Sequence, residues 1–258
     1  MSVLAVQVGA LAWRSIARTL RQPASAIPPL VFPVALMLVN AAGLDASTEL
    51  PGFPTDSFLA FALAVPFIQG ALFATLNAGT DLARDIQTGF LNRLSLTPMR
   101  DAALLAGNLT GVVVLGLVQA LFYVLVGLLL GVDFASGAPG VVVLLAFAAL
   151  VSIGFGALGA ALALRTGSGE AMQGMFPLFF VFLFISSMNT PIDLIAVDWF
   201  RLAATANPVS YLIDCVRSLI ITGWDARALA LGFGIAAAVT AVALALAARE
   251  LRRRLART

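Results

Sequence analysis

Six stretches of this chain, 25–44, 57–80, 102–130, 138–164, 171–190 and 228–248, hold no acidic or basic residue and are mostly apolar. About 20 helical residues cross roughly 30 Å of hydrocarbon, and a charge at a membrane helix centre costs about 2.5–3.5 kcal/mol. Charge-free runs of this length therefore predict membrane-crossing helices. Barrel strands would be shorter and would alternate in polarity, and these runs do not. Composition agrees: 61% of the residues are hydrophobic and 11% charged, where soluble domains carry about a quarter charged residues. The fold class expected is an all-α polytopic membrane protein with six transmembrane helices.

The cationic residues are all arginine, and the sequence has no lysine and no histidine. Without lysine there is no G-x-x-x-x-G-K-[ST] phosphate loop, so ATP is not bound here in that way. Without histidine there is no H-E-x-x-H zinc site, no Ser-His-Asp triad and no imidazole relay. The chain is expected to be no enzyme, with no catalytic residue, no metal and no cofactor of its own. The one cysteine, Cys215, reads as a packed thiol, with a cross-link to a second copy as the alternative.

Arginines set the expected orientation. With both termini inside, Arg14, Arg18, Arg21, Arg84, Arg93, Arg100, Arg165, Arg249, Arg252, Arg253, Arg254 and Arg257 are cytoplasmic, and only Arg201, Arg217 and Arg227 are external. The first two external segments carry Asp45, Glu49, Asp56 and Asp133 and no arginine. The positive-inside rule favours this arrangement. Residues 1–22 are not expected to be a cleaved signal, because their charges come late and follow no clean apolar core. At helical spacing Gln7, Arg14, Arg18 and Arg21 share one face, opposite Val6, Trp13, Ile16, Ala17 and Leu20. That pattern predicts an amphipathic helix in the inner headgroup plane. The C-terminal arginines suit attraction to anionic lipid.

Between the second and third runs lies a polar strip, "RDIQTGFLNRLSLTPMRD", from Arg84 to Asp101. Residues 87–94 are helix formers apart from Gly89, and Pro98 ends the segment. From Asp81 to Asp101 three arginines face three aspartates, so lipid attraction does not explain the strip. A protein partner explains it better than a plain polar loop does.

This strip resembles the first cytoplasmic loop of type 2 ABC exporter permeases, roughly R-E-x-G-T-L-E-R-L-L-x-T-P. Arg84, Asp85, Gly89, Arg93, Leu94, Thr97 and Pro98 correspond to it, with Asp85 in place of the usual glutamate and an extra residue before Gly89. "AALLAGN", 102–108, is similar to the continuation found in actinobacterial daunorubicin-resistance-type exporters. A second segment, "ANPVSYLIDCVRSLI", resembles N-P-x-x-Y-x-x-[DE]-x-x-R-x-L before the last span, through Asn207, Pro208, Tyr211, Asp214 and Arg217. The resemblance implies a type 2 ABC exporter fold in a bacterial plasma membrane. It also implies a dimer with a second permease copy, identical or homologous, and two copies of a separate ATPase subunit that bind ATP and magnesium. Residues 84–98 would form the coupling helix seated on that ATPase. No nucleic-acid partner is expected.

Residues 191–226 are expected to hold short external helices. Asn207 caps and Pro208 starts one of about 14 residues, about 21 Å at 1.5 Å per residue and too short to cross. Asp214 and Arg217 lie three apart on one face, within pairing reach. A re-entrant gate and an interfacial scaffold are both open. In the fifth run Met172, Phe176, Phe179, Phe180 and Leu183 form one helical stripe, suited either to promiscuous apolar ligands or to lipid and neighbouring helices. Gln69, Asn77, Gln119 and Gln173 are pathway candidates or interhelical hydrogen-bond partners. "GFGALG", 154–159, satisfies the dinucleotide pattern but sits inside a span, where close helix packing is its better explanation.

The reading that follows is a permease moving a drug-like amphiphile outward, with lipid-linked polysaccharide as the alternative cargo. An ion-coupled transporter would need an ionisable residue inside the membrane, and the six runs have none. An intramembrane enzyme would need an acid, a histidine or a nucleophile–base pair at depth, which is equally lacking.

Overall fold

The computed structural model describes residues 3–21, 23–95 and 101–256, and no strand occurs among them. The helices are α1 (Val3–Arg21), α2 (Pro23–Leu44), α3 (Phe58–Ala62), α4 (Ala64–Gln87), α5 (Phe90–Ser95), α6 (Asp101–Leu129), α7 (Gly137–Thr166), α8 (Gly169–Gly174), α9 (Phe176–Phe184), α10 (Asp198–Ala206), α11 (Pro208–Arg217) and α12 (Ala226–Leu255). Among the described residues five segments are long and apolar enough to cross a bilayer: Ile27–Glu49, Phe58–Gln87, Ala103–Leu129, Gly137–Thr166 and Ala226–Leu255. The protein is a multi-pass membrane protein.

The fifth run departs from the sequence expectation. It forms α8 and α9, which break at Met175 and stop at Phe184; at 1.5 Å per residue the pair falls short of about 30 Å of hydrocarbon. Pro177, in the first turn of α9, supplies no N–H to continue α8. At the other end the Ser186 hydroxyl donates back to the Leu183 carbonyl, a local bond that competes with helix continuation.

Helix α4 is the centre of the bundle, buried along most of its length, and α7 packs against it through glycine. A β-carbon on Gly159 would lie 2.1 Å from the Thr75 carbonyl oxygen of α4. Gly156 faces Val112 of α6, and Gly154 faces Thr240 of α12. The three glycines of the "GFGALG" pattern thus admit three different neighbours to the α7 backbone, the close packing expected of small residues in membrane helices. The Thr240 hydroxyl donates to the Leu150 carbonyl, 3.2 Å, across the same contact. Cys215 is buried against Gly232 of α12, as a packed thiol.

Proline shapes α2. Pro33 has no N–H for the carbonyl of Pro29, four residues back. The buried Tyr123 hydroxyl of α6 donates to that carbonyl instead. A missing backbone bond in one helix is therefore satisfied by a side chain from another, as a dry interior requires.

Helix α1 is amphipathic as expected, and Trp13 is 70% exposed. Its other face packs on α6 rather than lying free in a headgroup layer. Leu11 sits over Gly107 and Ser15 over Gly111, where β-carbons would approach to 2.4 and 2.0 Å.

Candidate functional site

The polar strip begins as the last turns of α4. That helix closes at Thr88 and Gly89, whose N–H groups donate to the carbonyls of Arg84 (2.9 Å) and Ile86 (3.0 Å). Gly89 has φ +69°, with nothing within 4 Å of where a β-carbon would stand. Glycine is thus required there by the backbone turn alone. Residues 87–94 are consequently not one helical piece, as their composition suggested: Gly89 divides α4 from α5. Arg93 of α5 reaches back to the Thr88 carbonyl at 3.5 Å.

Asp85 is held by a residue that sequence pattern did not connect to it. Arg14 of α1 donates from Nη1 and Nη2 to the two carboxylate oxygens, at 2.8 and 2.7 Å. The same guanidinium lies 3.9 Å from the centroid of the Phe90 ring. A planar guanidinium suits this double role of forked donor and aromatic stack, which an ammonium would not fill. Gln87 donates to the Gly167 carbonyl at 3.2 Å, and Arg254 of α12 donates to the Leu164 carbonyl at 2.9 Å. Leu91 of α5 is buried in a cluster with Leu82, Ile86, Leu164, Met172 and Leu251. Between α1, α4, α5 and α6 a cavity of about 60 Å³ is bordered by Arg14, Asp81, Asp85, Phe90 and Asn108. Arg84 is exposed. Leu94 lies within α5, and Thr97 and Pro98 fall outside the described residues.

At the opposite end, the break after α9 is closed by α11. The Asn207 side chain accepts from the Val209 N–H (2.9 Å), capping α11, and donates to the carbonyls of Phe182 and Ile185 at the end of α9. Pro208 occupies the first turn. Tyr211 donates to the Thr205 carbonyl at 2.8 Å. Arg217 pairs with Asp214 at 2.9 Å. It also donates to the carbonyls of Phe61 (3.3 Å), Ser187 (3.0 Å) and Met188 (3.2 Å), and it stacks 3.5 Å from the Phe61 ring centroid. The Ser187 hydroxyl also donates to Asp214, at 3.0 Å. The helix continues as one π turn, Ser218–Thr222, and stops at Gly223 with φ +88°. A cavity of about 520 Å³ opens beside it, bordered by Asp193, Asp214, Arg217, Asp225 and Arg227 among apolar residues.

The remaining candidates do not form one surface. Met172 is fully buried, its thioether where a β-carbon on Gly79 would be, and Leu183 is fully buried as well. The continuous stripe expected along the fifth run is thus broken at Met175. Phe176 and Phe180 are 4.6 Å apart, centroid to centroid, and join Phe73 (5.3 Å from Phe176) and Phe32 (6.1 Å from Phe180). Phe179 packs against the main core. Gln173 is exposed and Asn77 half-buried. Gln69 and Gln119 are buried; both amide atoms of Gln69 and Nε2 of Gln119 make no hydrogen bond among the described residues.

These features define a class: a helical membrane permease with a bonded, hinged strip at its arginine-rich end and a polar helix junction at the other. The chain matches the family described as ABC-2 type transporter over residues 6–221, and it belongs to that family. It is 33% identical over 172 residues to a daunorubicin resistance ABC transporter permease protein of Streptomyces coeruleorubidus, covering 64% of this chain and 59% of that protein. It is 25% identical over 201 residues to a protein of Cyanophora paradoxa described as a transport permease, covering 77% of this chain and 69% of that protein. The chain thus spans less than two thirds of the length of the first of these relatives.

Proposed function

We propose that this chain is the membrane subunit of an ATP-binding cassette exporter. It moves a hydrophobic or amphiphilic, drug-like molecule outward, and ATP is hydrolysed by separate ATPase subunits. Two ATPase copies and a second permease copy complete the assembly, which sits in a bacterial plasma membrane with both termini cytoplasmic. ATP and magnesium belong to the ATPase partner. In this reading α8 and α9 cross only part of the sixth path, and the segment through α11 re-enters from outside to complete it.

The observation that carries the reading is the strip at Gly89. A segment that only linked two spans would not need to be bonded to three of its neighbours. Asp85 is held by α1, Gln87 by the end of α7, and Leu91 is packed beside Leu251 of α12. The end of α4 is thus tied to α1 and α7, while α5 shares a cluster with Leu251 of α12 and meets Arg14 of α1 through Phe90. Drug-like cargo is favoured over glycan by the resistance permease among the relatives and by the Phe32, Phe73, Phe176 and Phe180 cluster.

The test is cargo-stimulated ATP hydrolysis in the complex assembled with its ATPase. Gly89→Val and Arg93→Ala should each lower the stimulation while leaving the permease folded and inserted. Full stimulation in both variants rules out a coupling role for the strip.

A further inference from the structure

We propose that Arg217 is the latch that closes the outer end of the transport path, and that the segment from Ile185 to Asn189 is the part it releases. The inference rests on the exporter reading above and assigns a residue to the exit step.

Helix α9 ends at Phe184 and α3 stops at Ala62. Irregular backbone at this depth is tolerated only when protein satisfies it or water reaches it. Arg217 satisfies both breaks from one side chain: Nε serves the Phe61 carbonyl and Nη2 the Ser187 and Met188 carbonyls. Its ring partner is Phe61 itself.

A fixed structural cap would not need a charge. The asparagine at 207 does comparable work for Phe182 and Ile185 without one. A buried cation is expensive unless paired, and the pairing here is asymmetric. The Arg217 side chain is 8% exposed, whereas that of Asp214 is 36% exposed and borders the 520 Å³ cavity. Asp214 also accepts from the Ser187 hydroxyl at 3.0 Å, so the carboxylate holds both the latch and the segment it fastens. When the segment moves away, Arg217 loses its two carbonyls but keeps Asp214, and it turns toward a cavity that carries further polar groups. The charge makes the second state tolerable as well as the first, which is what distinguishes a latch from a rivet.

The segment's other polar ties carry no charge: Asn207 donates to the Ile185 carbonyl and the Ser187 hydroxyl to the Ser210 carbonyl at 3.4 Å, while Met188 is buried in the core. Asn40 of α2 donates to the Asn189 side chain at 3.3 Å, and the Ser187 N–H donates to the Ser210 hydroxyl at 3.2 Å. All of these are neutral bonds, so the Arg217–Asp214 ion pair is the charged tie.

The experiment reads the reaction of Met188→Cys, a buried position, with a membrane-impermeant maleimide, in the permease–ATPase complex in lipid nanodiscs. Cys215, buried in α11, is replaced by alanine. In the otherwise native chain the rate should rise roughly tenfold or more when the complex is trapped with ATP and vanadate. Arg217→Gln should raise the resting rate roughly tenfold to a hundredfold, the range for losing a charge-assisted hydrogen bond. It should also abolish the dependence on trapping, which a merely looser fold would leave in place. Arg217→Lys should fall between, because an ammonium can keep Asp214 but not all three carbonyls. If Arg217→Gln is not recovered folded, Asp214→Asn is read by the same criteria. Equal rates in the resting and trapped states of the native chain overturn the latch, as does a variant that keeps its dependence on trapping. A permease that neither binds nor stimulates an ATPase instead defeats the exporter reading. The resting rate then decides the latch alone: a rise in Arg217→Gln supports it, and no change overturns it.

Discussion

Replacing Asp85 by asparagine keeps the shape of the side chain and removes the charge that Arg14 grips. The native pair is bidentate, at 2.7 and 2.8 Å, with the carboxylate 15% exposed and the arginine 38% exposed. An exposed ion pair contributes about 0–1 kcal/mol and a hydrogen bond to a charged group about 1.5–3 kcal/mol. The half-open arginine moves the pair toward the lower end, so a coupling of about 1–2 kcal/mol is expected. That is roughly a five- to thirtyfold effect on whatever step requires α1 and the strip to move together. The assay is a double-mutant cycle of Asp85→Asn and Arg14→Gln, scored on cargo-stimulated ATP hydrolysis in reconstituted complexes. Either single change should account for nearly the whole loss, and the double variant should be hardly worse. Phe90→Leu, which removes the aromatic face, should lose less, in line with about 0.5–1 kcal/mol for a cation over a ring at a partly open site. Losses that simply add would refute the claim that these residues act as one joint.

Gly159→Ala should destabilise the α4–α7 contact by about 1–3 kcal/mol through overpacking, because its β-carbon meets a backbone carbonyl that cannot turn aside; thermal unfolding in detergent would show a lower midpoint, and an unshifted midpoint would contradict the contact. Tyr123→Phe leaves the Pro29 carbonyl without its donor and should cost about 1–3 kcal/mol, read the same way.

Much of this architecture is legible in composition, because a bilayer punishes charge so heavily that its absence marks where the chain crosses. The fifth run misleads by the same logic. Its residues are as apolar as a span's, yet Pro177 and the serines at 186 and 187 redirect the backbone, and hydropathy does not weigh hydrogen bonds. The asparagine cap at 207 and the Asp214–Arg217 spacing are local patterns, and both pairings occur as spacing suggests. What spacing does not supply is contact across the fold. Nothing near Asp85 in sequence points to Arg14, 71 residues away, and nothing near Arg217 points to Phe61. Local helix logic marks Gly89 as the poor helix former of residues 87–94 but not that its positive φ divides α4 from α5. Met172 illustrates the converse. By type it suits either a flexible ligand contact or a neighbouring helix, and Gly79 opposite leaves a socket that its thioether fills.

Gly154, Gly156 and Gly159 of α7 carry a mechanical implication. Each lets a neighbour come close without a side chain of its own, and at Gly159 the two backbones meet directly, so α7 presents few protruding teeth there. Such surfaces resist being pulled apart, since separation forfeits many close contacts at once, yet they offer little obstruction to lengthwise glide. A stroke delivered at one end of the helix bundle would then travel as shear along smooth tracks, and substitutions that roughen those tracks should slow the stroke even where they leave the bundle intact.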